Sequence, residues 1–156
     1  MSPAPSLSRA DIGSLIPHQG AMCLIGWVDG WDERSIVCRA DNHRDARHPL
    51  RTRRGLLSTC LIEYAAQAAA VHGALQVPSS LRADQPGFLA AVRHAEFAQL
   101  NLDQLPPADP DYLRIEAQRE AGDERQLRYA FSAHHAGKLL ASGRLTVVLN
   151  APPPGP

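Results

Sequence analysis

The feature that most constrains the fold is residues 56–75, an apolar segment with almost no polar face. Its alanines and leucines favour an α-helix, and a helix that is apolar nearly all round must be buried. At about 1.5 Å per residue, such a helix is roughly 30 Å long, comparable to a small domain. The segment therefore predicts one central helix around which the rest of the chain packs.

The segments on either side of this helix alternate between apolar and polar residues, which is typical of β-strands with one buried face. The candidate strands are residues 22–31, 35–40, 87–94, 113–118, 127–134 and 139–149. The short links between the last three contain Gly122 and Gly137, as hairpins require. A short helix over residues 8–16 precedes them. This order predicts an α+β fold, a curled antiparallel sheet wrapped around one long buried central helix.

The length of the chain, 156 residues, fits one domain. We assign residues 8–149 to that domain. Residues 1–7 and 150–156 contain several prolines and little apolar surface, so they are expected to be flexible tails.

The composition excludes several classes of function. Sixteen basic and sixteen acidic residues give a net charge of zero, which argues against a general nucleic-acid-binding protein. No apolar run of eighteen residues is present to span a membrane, and the first residues do not resemble a signal peptide. Cys23, Cys38 and Cys60 are too widely spaced for a disulfide framework or a structural zinc site, which favours the cytoplasm.

Glu63 is the most informative polar residue, because it lies within the apolar helical segment. A carboxyl group buried without a partner tends to stay protonated, and a neutral carboxylic acid near pH 7 is a candidate general acid. Gln67 follows four residues later on the same helical face and is close enough to orient Glu63. The alternative is a structural glutamate whose charge reaches solvent.

A general acid for this chemistry requires a base, and histidine is the most frequent one. His43 and His48 lie in the loop that leads into the central helix, from which a side chain can reach its first turns. His134 and His135 lie at a predicted hairpin and are expected to face solvent. The seven histidines of the chain lack metal-ligand spacing, so no metal site is predicted.

Residues 43–54 form the only strongly basic stretch, with five arginines and one aspartate. They suggest a site for a phosphate or an acidic partner beside the start of the helix. The alternative is a solvated loop whose arginines aid solubility. Backbone N–H groups near Gly55 and Leu56, at the predicted helix start, could polarise a carbonyl oxygen.

Several segments resemble one family. They are IGSLIPHQ at residues 12–19, MCLI at 22–25, EYAAQA at 63–68 and GKLLASG at 137–143. Together they resemble the 3-hydroxyacyl-acyl-carrier-protein dehydratases of the hotdog fold. The loop with His43-Arg44 and Pro49-Leu50-Arg51 is most similar to the divergent branch found in aryl-polyene biosynthesis clusters.

The resemblance implies dehydration of a 3-hydroxyacyl thioester, carried on the phosphopantetheine of an acyl carrier protein, to a trans-2-enoyl thioester. Glu63 would be the acid and either His48 or His43 the base. Backbone N–H groups of Gly55 and Leu56 would hold the thioester carbonyl.

The other roles are also implied by the resemblance. Tyr64 and Gln67 would shape the pocket, and Arg51, with the rest of its loop, would meet the phosphate and the acidic carrier protein. Family members work as dimers, in which histidine and glutamate meet across the interface.

Two alternative functions remain open. One follows from a departure from the family's loop sequence, and the other from a related class of hotdog enzymes. The family loop carries a glycine that His48-Pro49-Leu50 lacks, so the chain could instead be a non-catalytic or half-site partner of a heterodimeric dehydratase. Hotdog thioesterases also use a carboxylate on the central helix, which makes an acyl thioesterase the other alternative.

Overall fold

The computed structural model describes residues 6–77, 88–123 and 125–148. Its helices are α1 (Arg9–Gly13) and α2 (Leu61–Leu75), and its strands are β1 (Trp27–Trp31), β2 (Ser35–Ala40), β3 (Phe88–Phe97), β4 (Leu113–Gly122), β5 (Gln126–His135) and β6 (Lys138–Val148). Residues 1–5 and 150–156, most of the predicted tails, lie outside the described residues. Leu7, which we assigned to the first tail, exchanges two backbone hydrogen bonds of 3.0 Å with Val28.

The described strands form one antiparallel sheet in the order β1-β2-β4-β5-β6-β3. Helix α2 packs against the inner faces of β2, β4, β5 and β6. Its buried side chains include Tyr64, Ala65, Ala68 and Val71, and small alanines let the helix approach the sheet closely. The predicted α+β fold, a curled sheet around one central helix, is confirmed.

The central helix begins at Leu61, later than the predicted residue 56. The preceding segment is extended because it pairs with the chain after β3: Leu102 donates to the Leu56 carbonyl and Ser58 donates to the Leu100 carbonyl, each at 2.8 Å. A 3-10 turn, Ser58–Cys60, then leads into the helix. Backbone groups used in this pairing cannot start a helix, which explains the difference.

Strand β3 is the last strand of the sheet, and its outer edge has no neighbour among the described strands. Leu89 pairs with the buried Val147 of β6, and paired residues lie on the same face of a sheet. Leu89 is nevertheless 39% exposed. An apolar residue on the inner face therefore remains uncovered at this edge.

No described helix is long and apolar enough to cross a membrane.

Candidate active site

The central feature of the site is a contact between His18 and Glu63. His18 lies in the loop after α1, and its Nε2 is 3.1 Å from Oε1 of Glu63 in the first turn of α2. Both side chains are about one-third exposed, at 30% and 33%. The pair combines a proton-accepting imidazole and a carboxyl group at a point that an external molecule can reach.

Gln67 fixes the position of Glu63. Its amide nitrogen donates to Oε1 of Glu63 at 3.2 Å and to the Met22 carbonyl at 2.8 Å, while its amide oxygen accepts from the Leu24 N–H at 2.8 Å. Gln67 itself is fully buried. Because both ends of the amide are engaged, its orientation is determined and Oε1 of Glu63 is the oxygen that it holds.

Two polar atoms of the pair, Oε2 of Glu63 and Nδ1 of His18, take no part in these contacts. Oε2 of Glu63 has no hydrogen-bond partner among the residues that the structure describes, and it belongs to a partly exposed side chain. Nδ1 of His18 is buried and also lacks a partner there.

His48, one of the two predicted bases, lies in a buried hydrogen-bond chain. Its Nδ1 accepts from the Leu50 N–H at 3.1 Å, so Nε2 carries the proton and donates to the Tyr64 hydroxyl at 2.8 Å. Tyr64 in turn donates to Oδ1 of Asn42 at 2.5 Å. Burial lowers the pKa of His48, with a further contribution from the Arg51 charge, and burial raises that of Tyr64. Both ring nitrogens of His48 and the Tyr64 hydroxyl are occupied within the protein.

His43, the other predicted base, contacts a different group of residues. Its Nε2 is 3.0 Å from Oδ1 of Asp111, and Nε2 of His135 is 2.7 Å from the same oxygen. His135 is only 2% exposed, so the expectation that it faces solvent is wrong. Strand β5 extends through His135, and alternation along the strand turns this side chain inward.

Burial alone would raise the pKa of Asp111, but hydrogen bonds from Arg44, His135 and His43 together lower it. Burial lowers the pKa of His43, although Asp111 opposes this effect.

Arg51 is held inside the basic loop. Its guanidinium donates to both carboxylate oxygens of Asp103 at 2.8 Å and to the carbonyls of Asp45 and His43. The hydrogen bond with Arg51 lowers the pKa of Asp103 against the opposing effect of burial. Arg51 thus links the start of the basic loop, at His43 and Asp45, to Asp103.

Gly55 and Leu56 lie next to this ion pair. Gly55 has a φ of 101°, and a Cβ there would collide with Asp103 and Asn101, so only glycine fits. Its N–H donates to the Thr52 carbonyl at 3.0 Å, and the Leu56 N–H donates to Asp103 at 3.3 Å. These two N–H groups are engaged in this structure, and they precede the helix start.

His18 is the site residue that sequence reasoning missed. The signal was present, because His18 belongs to the Pro17-His18-Gln19 segment that carries part of the family resemblance. Local spacing could not connect it to Glu63, since β1, β2 and the basic loop lie between the two residues in the chain. The resemblance also implied a histidine and a glutamate from different subunits, whereas His18 and Glu63 meet within one chain.

Comparison with known proteins identifies the family. The model of the ApeP-like family, described as ApeP dehydratase, matches residues 10–153. The chain belongs to the ApeP-like dehydratase family. This confirms the resemblance to the dehydratases of aryl-polyene biosynthesis. A search of curated protein sequences finds no significant match.

Solved structures share the fold of this family member. The dehydratase heterocomplex ApeI:P from Xenorhabdus doucetiae matches with a TM-score of 0.74 and 22% identity, over 88% of this chain and 89% of that chain. A thioesterase from Haemophilus influenzae matches with a TM-score of 0.63 and 13% identity, over 95% and 94%. A mutant thioesterase from Pseudomonas aeruginosa gives 0.57 and 16%, over 80% and 79%.

Proposed function

We propose that this ApeP-like chain dehydrates a 3-hydroxyacyl thioester on an acyl carrier protein, giving a trans-2-enoyl thioester and water, with His18 and Glu63 as its catalytic residues. The observation that carries the proposal is the contact of 3.1 Å between Nε2 of His18 and Oε1 of Glu63 in a partly exposed site. β-Elimination of water requires one group that takes the α-proton and another that protonates the leaving hydroxyl. This pair supplies both.

His18 and Glu63 exchange protons with the substrate in one cycle. One proton bridges Nε2 of His18 and Oε1 of Glu63 in the resting pair. When substrate enters between the two side chains, this proton stays on Oε1 of Glu63, and the lone pair on Nε2 of His18 becomes free. Nε2 of His18 takes the proton from the α-carbon, the electrons of that C–H bond form the double bond, and the C–O bond to the 3-hydroxyl breaks. Glu63 donates this proton from Oε1 to the departing hydroxyl, which leaves as water. The proton on His18 then returns to Glu63 across their direct contact.

His18 is a better candidate for the base than His43 or His48. Both ring nitrogens of His48 are engaged with Leu50 and Tyr64, and Nε2 of His43 lies against Asp111. A base must have a lone pair that substrate can approach, and His43 and His48 are buried, whereas the His18 side chain is 30% exposed. We therefore assign His48, with Tyr64, to fixing the loop beside the helix, and His43 to holding the start of the basic loop.

The acyl carrier protein is the proposed partner of the basic loop. Arg51 and Arg44 are occupied by Asp103 and Asp111, whereas Arg47, Arg53 and Arg54 are exposed. Carrier proteins present an acidic surface, and exposed arginines favour its approach. In this proposal the latter three arginines meet the carrier, and Arg51 keeps the loop in shape.

A second hotdog subunit is proposed to cover the open edge of β3. The exposed Leu89 and the unpaired strand edge support such an interface, because uncovered sheet edges tend to pair with another strand. The solved relative from Xenorhabdus doucetiae is a dehydratase heterocomplex, ApeI:P. The subunit is either a second copy of this chain or a related dehydratase, and light scattering of the purified chain distinguishes these arrangements.

The test is an ultraviolet assay of the conjugated enoyl thioester formed from a 3-hydroxyacyl thioester on its carrier protein. Glu63→Gln and His18→Asn are each expected to lower kcat by about 10²- to 10⁴-fold. His134→Gln is the matched control, because His134 is a half-buried histidine outside this site. Wild-type rates in a folded His18→Asn variant, with losses in His48→Asn or His43→Asn instead, would move the base to those residues.

The same reactions also distinguish the other two functions. A thioesterase would release free thiol, which a thiol-reactive dye detects, whereas dehydration releases none. A chain that is inactive alone but restores turnover when mixed with a related dehydratase would be a partner subunit. If turnover then survives Glu63→Gln in this chain, the chain is a non-catalytic partner.

A further inference from the structure

One cluster of metal-ligand side chains takes no part in the proposed reaction. It consists of His43 at the start of the basic loop, Asp111 just before β4 and His135 at the end of β5. One ligand-type atom of each residue lies within 4.8 Å of the other two. From this convergence we propose that His43, Asp111 and His135 form a binding site for a divalent transition-metal ion of the zinc type.

The geometry requires little movement to receive an ion. Nε2 of His43 and Nε2 of His135 already approach the same oxygen, Oδ1 of Asp111, at 3.0 and 2.7 Å. Ligands at about 2.0 Å from a tetrahedral zinc ion lie about 3.3 Å apart. The two N–O distances therefore need to open by only about half an ångström, and the two imidazole nitrogens already lie within 4.8 Å of each other.

The cluster is largely buried, which favours a stably bound ion over an ion held transiently at the surface. The side chains of His43 and His135 are 0% and 2% exposed, and their rings meet edge to face with centroids 5.7 Å apart. Asp111 is 28% exposed, so an ion and a fourth ligand such as water can reach the cluster from its side. Two buried imidazoles and one carboxylate are ligands that zinc, cobalt and nickel accept.

Arg44 orients the Asp111 carboxylate and also limits the affinity of the site for cations. Its Nε donates to Oδ2 of Asp111 at 2.8 Å, while its other two nitrogens donate to the carbonyls of Leu105 and Pro106. This arrangement leaves Oδ1 directed at the two histidines, which is what an outer-shell partner of a metal ligand does. The positive charge opposes the cation, so the site favours strongly bound ions such as Zn²⁺ over Mg²⁺ or Ca²⁺.

A bound ion would act as a cross-link. It would join the start of the basic loop to the ends of two neighbouring strands, β4 and β5, which pair at Leu113 and His135. The spacing of these residues along the sequence does not suggest a metal site, because Asp111 is remote from both histidines in the chain. The fold alone assembles them.

The direct test adds Co²⁺ to tag-free, metal-free protein and measures its visible d–d absorption, followed by competition with Zn²⁺. We expect one Co²⁺ per chain, displaced by one equivalent of Zn²⁺. Saturating Zn²⁺ is expected to raise Tm by about 5 °C. Asp111→Asn and His135→Gln should abolish both effects, whereas His134→Gln, the neighbouring residue in β5, should retain them.

Wild-type protein that takes up no Co²⁺ and shows no Tm change with Zn²⁺ would overturn the proposal, as would unchanged binding in a folded Asp111→Asn variant. If that variant does not fold, X-ray absorption of the zinc-loaded wild type decides instead. Two imidazole ligands support the site, and a shell without them contradicts it. None of these measurements depends on dehydratase activity, so the metal site and the proposed reaction are tested separately.

Discussion

His18 and Glu63 belong to different elements of one chain, and their Nε2 and Oε1 atoms lie 3.1 Å apart. The contact places a base and an acid of the proposed reaction in the same subunit. A partner subunit would then contribute to the shape and stability of the site without supplying either reacting group. The positions of both groups depend on how α2 is held against the loop before β1.

Replacing Gln67 tests that dependence. Gln67→Met keeps the volume but removes the amide that holds Oε1 of Glu63 and satisfies Met22 and Leu24. We expect kcat to fall at least tenfold with little change in KM, because Glu63 loses its orientation, and the free energy of unfolding to fall by about 1–3 kcal/mol. Steady-state kinetics and urea unfolding measure the two effects. Gln76→Met, at the half-buried C-cap of the same helix, is the kinetic control, because its amide donates to the Asp32 carbonyl and not to Glu63. Equal kinetic losses in both variants would contradict the assignment.

Tyr64→Phe tests the chain of hydrogen bonds from His48 to Asn42. Removing the hydroxyl leaves the buried Nε2–H of His48 and Oδ1 of Asn42 without their partner. The expected cost is about 1–3 kcal/mol in the free energy of unfolding, measured in urea, with kcat reduced less than tenfold. Tyr112→Phe removes a hydroxyl that has no hydrogen-bond partner among the described residues and should change stability little. A loss of activity without loss of stability in Tyr64→Phe would instead place this hydroxyl in the reaction.

Stability should decrease as the pH falls from 8 to 5. Burial lowers the pKa of His72, and burial with the Arg51 charge lowers that of His48. In the unfolded chain both residues titrate near pH 6.5, so below that pH the unfolded state binds more protons than the folded state. Their contribution is complete above about pH 6.5 and is lost as the pH falls toward the folded-state pKa values.

Thermal unfolding between pH 5 and pH 8 measures how steeply Tm depends on pH. His72 accepts from Tyr129 at Nδ1 and donates to the Asp32 carbonyl from Nε2, both at 2.8 Å, so the neutral ring fits its site. His72→Gln cannot titrate and should show a smaller dependence of Tm on pH, despite a lower Tm at pH 8. An unchanged slope would assign the pH dependence to other groups.

Leu89→Asp tests the proposed interface along β3. A charge on this uncovered apolar position should lower the affinity between subunits by at least tenfold while leaving the isolated chain folded, because the residue is 39% exposed. Light scattering and sedimentation at several concentrations measure the shift toward monomer. Leu139→Asp, at a 52% exposed position, is the control for the added charge. An unchanged association state in Leu89→Asp would place the interface elsewhere.

Charge reversal in the basic loop tests the proposed carrier contact. Arg53→Glu should raise KM for carrier-bound substrate about tenfold at low salt and leave KM for a small thioester analogue unchanged. Arg51→Gln should instead destabilise the chain, because Asp103 loses its ion pair. The KM values for the two substrates, measured at two ionic strengths, separate these effects. Equal changes of KM for both substrates in Arg53→Glu would argue against a carrier-specific contact.

The sequence predicted the fold because its signals were local. Periodicity identified a buried helix and alternating strands, and a single central helix leaves few ways to arrange an antiparallel sheet. The helix start was predicted too early, since residues 56–58 look helical in sequence but pair with the chain after β3. That pairing depends on contacts between distant segments, which composition does not encode.

The candidate site was predictable in part. Glu63 and Gln67 share a helix, so their spacing gave their relationship directly. His18 reaches Glu63 from a distant loop, and the folded chain also assembles His43, Asp111 and His135 from three separate segments. Loop histidines close to the helix in sequence were the predicted bases, yet both rings are buried, and Nε2 of His43 and both ring nitrogens of His48 contact other groups.

The Gln67 amide has a consequence for protein engineering. It joins α2 to backbone groups on both sides of Cys23, so the rotation of the helix about its axis is coupled to the conformation of residues 22–24. Transplanting the helix alone into another scaffold would transfer the carboxyl group without its orientation. A functional chimera must therefore exchange the helix and the loop before β1 as one unit.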